Sequence, residues 1–247
     1  MIMKKVILSV AIIIATVSVN AQNKFGLQGG ASFASAKSTF TGVTPSEEQK
    51  FKTKVGFTIG AVADIDFGNS VSFRPELNFI QKGGKLSNTE TRTIPTVGTI
   101  TTASTGKTTF NYIELAPNFV YNFEAGDGKF FVGVGPNVAF GLGGKNKYTS
   151  TTTSTIPGST PTNASGENKV KFDGKKYADV AATDNDDHLK ALDFGANAIA
   201  GYKMSNGAFV SAGYTVGLSN IDPNDKQTFK NNGFNVKVGF LFGGSKK

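Results

Sequence analysis

The chain has 247 residues and a formal charge of +8, with 30 Gly and 21 Phe but no Cys, no Trp and one His. The absence of cysteine excludes a disulfide framework, a thiolate zinc site and a cysteine nucleophile, and one histidine excludes sites built from two imidazoles. Because Phe is abundant and only 18% of residues are charged, the chain is neither disordered nor a coiled coil, and its length fits one large all-β domain or two ordinary domains.

The N-terminal segment has the pattern of a secretory signal peptide. Two lysines precede an apolar run over 6–19, and the small Ala21 fits a cleavage before Gln22. The run is shorter than the roughly 20 apolar residues that a spanning helix needs. We therefore expect a signal peptide over 1–21 and one exported domain over 22–247, which argues against nucleic acid as a partner.

Beyond residue 22 the sequence alternates with period two in eight segments, which predicts eight β-strands. One face of these segments is apolar and carries no charged residue, whereas the other is rich in Gly and Asn and suits a narrow interior. Aromatic residues gather near the segment ends, as in the girdles of membrane barrels, so we expect the apolar face to contact lipid. The segments cover 25–33, 55–67, 71–79, 113–123, 130–140, 192–202, 210–218 and 234–242.

The connections between segments alternate between long and short. The short ones lie at 68–70, 124–129 and 205–207, and four long ones separate the remaining pairs. Short periplasmic turns and long extracellular loops are typical of membrane barrels, whose even strand number places both termini on the periplasmic side. The sequence thus predicts an all-β fold, an eight-stranded antiparallel up-and-down transmembrane β-barrel.

Three prolines fall inside the predicted strands, at Pro75, Pro117 and Pro136. Proline lacks the N–H group that a ladder hydrogen bond needs, so we expect bulges or missing backbone bonds at these positions.

Six motifs along the strands resemble the small outer-membrane β-barrel family of Bacteroidota that includes the PorT-like proteins. The resemblance implies a barrel fold, an outer-membrane location, folding by the barrel-assembly machinery, and prolines at 75 and 136 as family features. It leaves function open, because one fold serves many functions. The motifs are FRPEL at 73–77 running into QKG at 81–83, YIELAP at 112–117, GVGP at 133–136, LDFG at 192–195, GYTVGLSNI at 213–221 and VGF at 238–240.

Charged residues on the inward face predict a polar network. If the strands pair around the turn at 68–70, Asp64 lies opposite Arg74 and forms an ion pair with it. A gated ion path is the alternative, but eight strands leave room only for side chains. The expected lumen network consists of Asp64, Arg74, Glu76, Glu114, Asp193, Lys203 and Lys237.

Other candidate chemistry is weak. The TGKT sequence at 105–108 resembles the end of a phosphate-binding loop, but Thr101 stands where that loop needs glycine. Three aspartates beside His188 lack the calcium-loop spacing, and no serine or aspartate is selected as a partner for His188 acting as a general base. We therefore assign no catalytic, cofactor-binding or metal-binding residue. The three aspartates are Asp184, Asp186 and Asp187.

The loops carry whatever specificity exists. The region 87–109 holds 12 Ser or Thr in 23 residues, which favours a hairpin that extends the strands, whereas Pro157 and Pro161 favour disorder in the similar region 149–165. Between 145 and 176 six lysines face two acids, so this patch is expected to meet anionic head groups of outer-membrane lipid and lipopolysaccharide.

Three functions fit these observations. The first is a non-enzymatic, PorT-like barrel that stabilises the membrane or presents its loops to an extracellular partner. The second is a barrel associated with transport or with a secretion-system protein, which a small-residue lumen and a displaceable loop would favour. The third is a barrel hydrolase, which requires His188 within hydrogen-bond reach of a Ser or Asp.

Overall fold

The computed structural model describes residues 23–41 and 47–243, so the predicted signal peptide over 1–21 lies outside the described residues. Within those ranges no helix is long and apolar enough to cross a membrane, and a three-residue 3-10 turn lies at Tyr177–Asp179. The strands are β1 (Lys24–Phe40), β2 (Glu47–Lys50), β3 (Lys54–Asp66), β4 (Val71–Ile94), β5 (Gly98–Ala125), β6 (Gly128–Ser154), β7 (Thr162–Lys171), β8 (Asp187–His188), β9 (Leu192–Lys203), β10 (Ala208–Gly217) and β11 (Gln227–Phe242).

Eight of these strands form a closed antiparallel ring in the order β1, β3, β4, β5, β6, β9, β10 and β11. The first and last strands close it, from Phe25 opposite Phe242 to Phe40 opposite Gln227. Each of the eight predicted segments lies in one of these strands to within one residue, so the predicted eight-stranded barrel is confirmed. The other three strands lie outside the ring: β2 pairs with β1, β7 with β6, and β8 runs parallel to β7.

The barrel has its apolar face outside and its polar face inside, as the alternation predicts. Leu27, Ile59 and Val238 on the outer face are each 60–63% exposed, which is the surface that lipid covers. On the inner face, Arg74 and Glu76 are each 1% exposed. This arrangement is the reverse of a soluble barrel, and it leaves the charged side chains to be satisfied by one another.

Three neighbouring strands continue far beyond the membrane. β4, β5 and β6 have 24, 28 and 27 residues, whereas about 9–11 residues suffice to span a bilayer. The hairpin predicted over 87–109 is confirmed, since β4 and β5 stay paired up to Ile94 opposite Gly98. With β7, the projecting parts of these strands form what we call the extracellular sheet.

The disorder predicted for 149–165 is wrong. β6 and β7 pair from Thr149 opposite Ser165 to Thr152 opposite Thr162. Pro157 and Pro161 lie in the connection between the paired segments, where a missing N–H costs no ladder bond. Both Thr-rich regions are therefore ordered hairpins.

The strand prolines interrupt pairing without shifting it. Pro75 lies directly opposite Pro117, and the β3–β4 pairing is in the same register on both sides of Pro75. The bulge expected at these prolines is thus wrong, whereas the missing ladder partners were correctly predicted. A register shift does occur higher up, where Asn111 opposes Gly143 but Tyr112 opposes Gly141, so Leu142 is an extra residue in β6.

Candidate functional site

The lower part of the lumen holds an ion-pair network near the periplasmic turns, which we call the lower network. Arg74 Nη1 lies 3.7 Å from Asp64 Oδ2, and Arg74 Nε lies 3.8 Å from Glu76 Oε1. Lys203 Nζ approaches Asp64 Oδ2 to 2.5 Å, and Lys237 pairs with Glu76. The structure thus brings together five of the seven residues that the sequence predicts for the lumen.

Arg74 is held by charges and rings rather than by short hydrogen bonds. Its Nε and Nη2 atoms are buried without a hydrogen-bond partner. The guanidinium carbon lies 4.7 Å from the ring centroid of Phe131 and 4.4 Å from that of Phe209, both of which point inward. Two cation–π contacts in a desolvated site therefore accompany the two ion pairs.

A layer of amides lies next to the lower network. Gln28 Nε2 donates to Glu76 Oε2 at 3.0 Å and to Asn78 Oδ1 at 2.8 Å. Across the lumen, Asn197 Nδ2 donates to Asn118 Oδ1 at 2.9 Å. Neutral side chains thus fill the space between the charged residues, and each asparagine shares a hydrogen bond with another strand.

A second ion-pair group, the upper network, lies closer to the extracellular side. Lys82 Nζ is 2.9 Å from Glu114 Oε2 and 3.4 Å from Asp193 Oδ2. Asn231 Nδ2 donates to Asp193 Oδ2 at 3.0 Å. Glu114 and Asp193 therefore do not contact the other five predicted residues. The lumen holds two ion-pair groups instead of the single network that the sequence predicts. Lys82 was missed, although its even position continues the inward series of β4 that includes Arg74.

The two networks balance each other in charge, since the lower network has one excess positive charge and the upper network one excess negative charge. Together four carboxylates face four cations; seven of these side chains are buried, and that of Lys203 is 14% exposed. An eight-stranded barrel has an interior that side chains are able to fill, and here charged side chains from five of the strands meet inside it. The geometry is that of a filled lumen rather than a charged path for one kind of ion.

An apolar plug closes the lumen above the upper network. It combines inward residues of the barrel wall with residues of the extracellular connections, and Phe51 and Phe172 pack against it. The ring centroid of Phe172 lies 5.1 Å from that of Tyr112 and 6.1 Å from that of Phe110. The buried members are Ala36, Ile80, Phe110, Tyr112, Ala139, Val170, Leu189, Ile221 and Phe229.

His188 lies above the plug, between two carboxylates. Its Nδ1 is 2.8 Å from Asp173 Oδ1, and its Nε2 is 3.4 Å from Asp184 Oδ2. Burial raises the pKa of Asp173, but the hydrogen bonds from His188 and from the Lys175 N–H outweigh it and lower the pKa overall. His188 is thus within reach of an aspartate, as a hydrolase would require, but Nδ1 is bonded to an acid, and Nε2, which has no hydrogen-bond partner, also faces one.

The neighbouring aspartates are occupied by internal contacts. Asp184 and Asp186 lie 3.0 and 2.9 Å from Lys171 Nζ, and Asp187 accepts a hydrogen bond from Asn146. In the part of the chain that the structure describes, no group of three His, Asp or Glu side chains is arranged to hold a metal ion.

A cavity of about 400 Å³ opens above the plug, inside the extracellular sheet. Phe51, Tyr148 and Tyr177 contribute aromatic walls, while Asp187 and His188 contribute polar groups. Burial raises the pKa of Asp187, although the hydrogen bond from Asn146 opposes this shift. Apolar walls with a few convergent polar groups are characteristic of small-ligand sites.

Comparison with known protein families agrees with this architecture. The family described as "Outer membrane protein beta-barrel domain" matches residues 20–222, which is more than half of the chain. The chain belongs to this family. Membership places this outer-membrane barrel in the bacterial outer membrane, as its apolar outer face requires. No curated protein matches it in sequence.

Several solved structures are similar to this outer-membrane barrel. Ail, the attachment invasion locus protein of Yersinia pestis, is 12% identical with a TM-score of 0.37, over 90% of this chain and 99% of that chain. Neisserial surface protein A is 14% identical with a TM-score of 0.30, over 88% and 97% of the two chains. The outer membrane protease OmpT from Escherichia coli is 10% identical with a TM-score of 0.31, over 91% and 98%. The likeness concerns the fold alone.

Proposed function

We propose that this protein is a non-enzymatic, non-conducting outer-membrane barrel that binds an extracellular partner through its extracellular sheet. The observation that carries the proposal is the contrast between the two ends of the molecule. The lumen is occupied by two ion-pair networks and an apolar plug, whereas three strands rise well beyond the membrane and enclose a cavity. The accessible surface for recognition is therefore outside the cell.

The lumen networks have a structural role in this proposal. Their charges are mutually paired, and breaking such a pair leaves a buried charge without compensation. The seven predicted residues and Lys82 then fix the relative positions of strands distant in sequence, such as Glu76 on β4 and Lys237 on β11. The sequence resemblance to PorT-like barrels of Bacteroidota, and folding by the barrel-assembly machinery, are part of the same proposal.

The surroundings of His188 support the part of the proposal that the barrel is not an enzyme. A general base needs a free ring nitrogen facing a proton that it abstracts. Here Nδ1 meets Asp173, and Nε2, which has no hydrogen-bond partner, lies 3.4 Å from Asp184 Oδ2, so the group facing the open nitrogen is a carboxylate and not a hydroxyl nucleophile. The arrangement fits a histidine that ties the loop after β7 to β8.

A transport or secretion-associated role is the second candidate, and one observation favours it. Leu189 and Ile221 of the plug, and Phe172 packed against it, come from connections rather than from barrel strands. A plug built partly from connections is able to move without opening the barrel. The upper network beneath it, however, comes mainly from the strands themselves, with Lys82 on β4 and Glu114 on β5.

Site-specific photo-crosslinking in intact cells tests the proposal. A photoreactive residue in place of Thr91 on the extracellular hairpin is expected to give a defined protein or glycan adduct, because that position is exposed. The same residue in place of Asp127, in a periplasmic turn, is the matched control. Adducts from Asp127 alone would instead point to a periplasmic, secretion-associated partner.

A hairpin deletion completes the test. Replacing residues 87–105 by Asn-Gly shortens β4 and β5 at Leu86 opposite Gly106, above the barrel proper. We expect this variant to fold, as judged by its altered gel migration before heating, and to lose the adduct formed from an unchanged site such as Thr153. Retention of that adduct would contradict a binding role for the extracellular sheet.

A further inference from the structure

The outer surface of the extracellular sheet carries lysines in directly adjacent positions. Lys85 lies opposite Lys107, and Lys107 lies opposite Lys147, so three neighbouring strands contribute lysine at the same level. One step closer to the membrane, Lys145 lies opposite Lys169. Like charges directly opposed across strands are destabilising, so this arrangement has a cost that nothing in the fold itself requires.

The counter-charges in the sheet are too few. Glu167 lies 2.6 Å from Lys145 Nζ and 3.1 Å from Lys147 Nζ, and these hydrogen bonds lower the pKa of the Glu167 carboxyl. Among the described residues, no ion pair joins the ammonium group of Lys107 or Lys169 to an acid. Lys171 also lines the groove between these lysines, and its ammonium group contacts Asp184 and Asp186. Five lysines therefore face three carboxylates, which leaves two positive charges uncompensated.

These lysines line a groove of about 670 Å³, which we call the lysine groove. Gly143 and Gly144 lie at its base, where the absence of side chains keeps the surface concave. Lys107, Lys145 and Lys169 are among the residues around it. The side chains of Lys145 and Lys147 are 62% and 64% exposed, so their ammonium groups are accessible to a ligand although both contact Glu167.

The groove lies at the level of the lipid head groups. Leu142, an exposed apolar residue, directly precedes it in β6. Lys145 is three residues further on, which is about 10 Å along the strand and, at a tilt near 40°, about 8 Å higher above the membrane. The polar layer on each side of a bilayer is about 5–8 Å thick. Lysine stems lie along such a boundary with their charged ends in the polar layer.

We propose that the lysine groove binds the phosphate groups of an outer-leaflet glycolipid of the lipopolysaccharide class, whose acyl chains lie against Leu142 and the apolar wall below it. Lysine is a point-charge ligand for phosphate, and two uncompensated charges match a head group that carries two phosphates. The apolar wall directly beneath the groove selects an amphipathic ligand over a soluble anion. This inference does not depend on the extracellular binding role proposed above.

Native mass spectrometry of the full-length protein, folded in detergent, tests the inference with lipid A as the probe. Bisphosphorylated lipid A is expected to bind the unchanged protein, and dephosphorylated lipid A to bind about 100-fold more weakly. The triple variant Lys107→Gln, Lys145→Gln and Lys169→Gln is expected to weaken binding of bisphosphorylated lipid A by a similar factor, since each surface lysine contributes about fivefold. The comparison of the two lipids needs no variant and therefore does not depend on variant folding.

A matched triple variant controls for net charge. Lys50→Gln, Lys190→Gln and Lys226→Gln remove three exposed lysines outside the groove and are expected to change binding by less than about twofold. Equal loss in both triple variants, or equal binding of the two lipids, would overturn the proposal. So would complete competition by inorganic pyrophosphate, because it would show a soluble-anion site rather than a glycolipid site.

Discussion

Arg74 touches both carboxylates of the lower network, whereas Lys203 contacts Asp64 and Lys237 contacts Glu76. In Arg74→Ala each carboxylate keeps one lysine but loses the second cation, and two cation–π contacts disappear. We expect a loss of about 3 kcal/mol in the free energy of unfolding, the lower end of the range for a broken buried pair. Urea unfolding in lipid vesicles measures it.

Lys129→Ala is the matched control for Arg74→Ala. Lys129 forms an exposed ion pair with Glu124 at 2.7 Å, and such pairs contribute less than about 1 kcal/mol. If both variants unfold at the same urea concentration, the lower network is not as dry as its burial indicates.

The lipid face provides a second prediction for single residues. Ala198 lies on the outer side of β9 among exposed apolar neighbours, so Ala198→Arg places a charge in the hydrocarbon layer at a cost of about 2–4 kcal/mol. Thr153→Arg, in the extracellular sheet, is expected to change stability very little. Equal folding yields of the two variants in vesicles would mean that the faces are assigned wrongly.

Whether a lumen contact could be predicted from the sequence depended on whether it joins neighbouring strands or crosses the lumen. The alternation of inward and outward residues along the strands, together with the short turn at 68–70, sufficed to place Asp64 near Arg74. Phe131 and Phe209 against Arg74 were not predictable, because contacts across the lumen depend on how the ring of strands closes. The same alternation would have placed Lys82 on the inner face, but Lys82 lies beyond the last alternating apolar residue of its predicted segment.

At the scale of elements, Gly141 allows the loop after β7 to seat its aromatic ring on the plug. A Cβ atom at Gly141 would lie 2.4 Å from ring atoms of Phe172. We expect Gly141→Ala to cost about 1–3 kcal/mol through overpacking. In the double variant with Phe172→Ala most of that cost should vanish, giving a coupling energy of at least about 1 kcal/mol in a double-mutant cycle.

Gly106→Ala is the control for this cycle. The nearest atom to a Cβ at Gly106 is the Leu86 Cβ, at an ordinary contact distance of 3.8 Å. Alanine there is expected to leave stability unchanged or slightly increased. Additive effects of Gly141→Ala and Phe172→Ala would show that the loop does not pack on Gly141.

The strands of the membrane region were predictable, whereas the height of the extracellular sheet was only partly so. Lipid requires one face of each strand to be apolar, and the charged and amide side chains that fill the lumen make the other face polar, so the period of two is strong in the barrel. Above the membrane both faces of the β4–β5 hairpin meet water, and only the abundance of threonine indicates strands. In the β6–β7 hairpin the same threonine signal was present, but two prolines of the connecting turn outweighed it in the prediction.

For the whole molecule, the filled lumen predicts electrical silence. The plug and the two networks, whose charges cancel each other, occupy the interior, so the purified barrel is expected to give no steady conductance in planar bilayers. Removing the Phe172 side chain from the plug, in Phe172→Ala, should leave the barrel non-conducting, because the upper network remains below the plug. Open-channel currents from the unchanged protein would favour the transport role instead.

The extra residue Leu142 has a consequence for how relatives of this protein are able to vary in length. Below it the even-numbered residues of β6 face lipid, and above it the odd-numbered residues face outward, Lys145 and Lys147 among them. Deleting Leu142 would turn Lys145 and Lys147 inward and turn Asn146 and Tyr148, which line the cavity, outward. Insertions and deletions tolerated within the strands above Leu142 should therefore come in even numbers, with odd-numbered gaps confined to the hairpin tips.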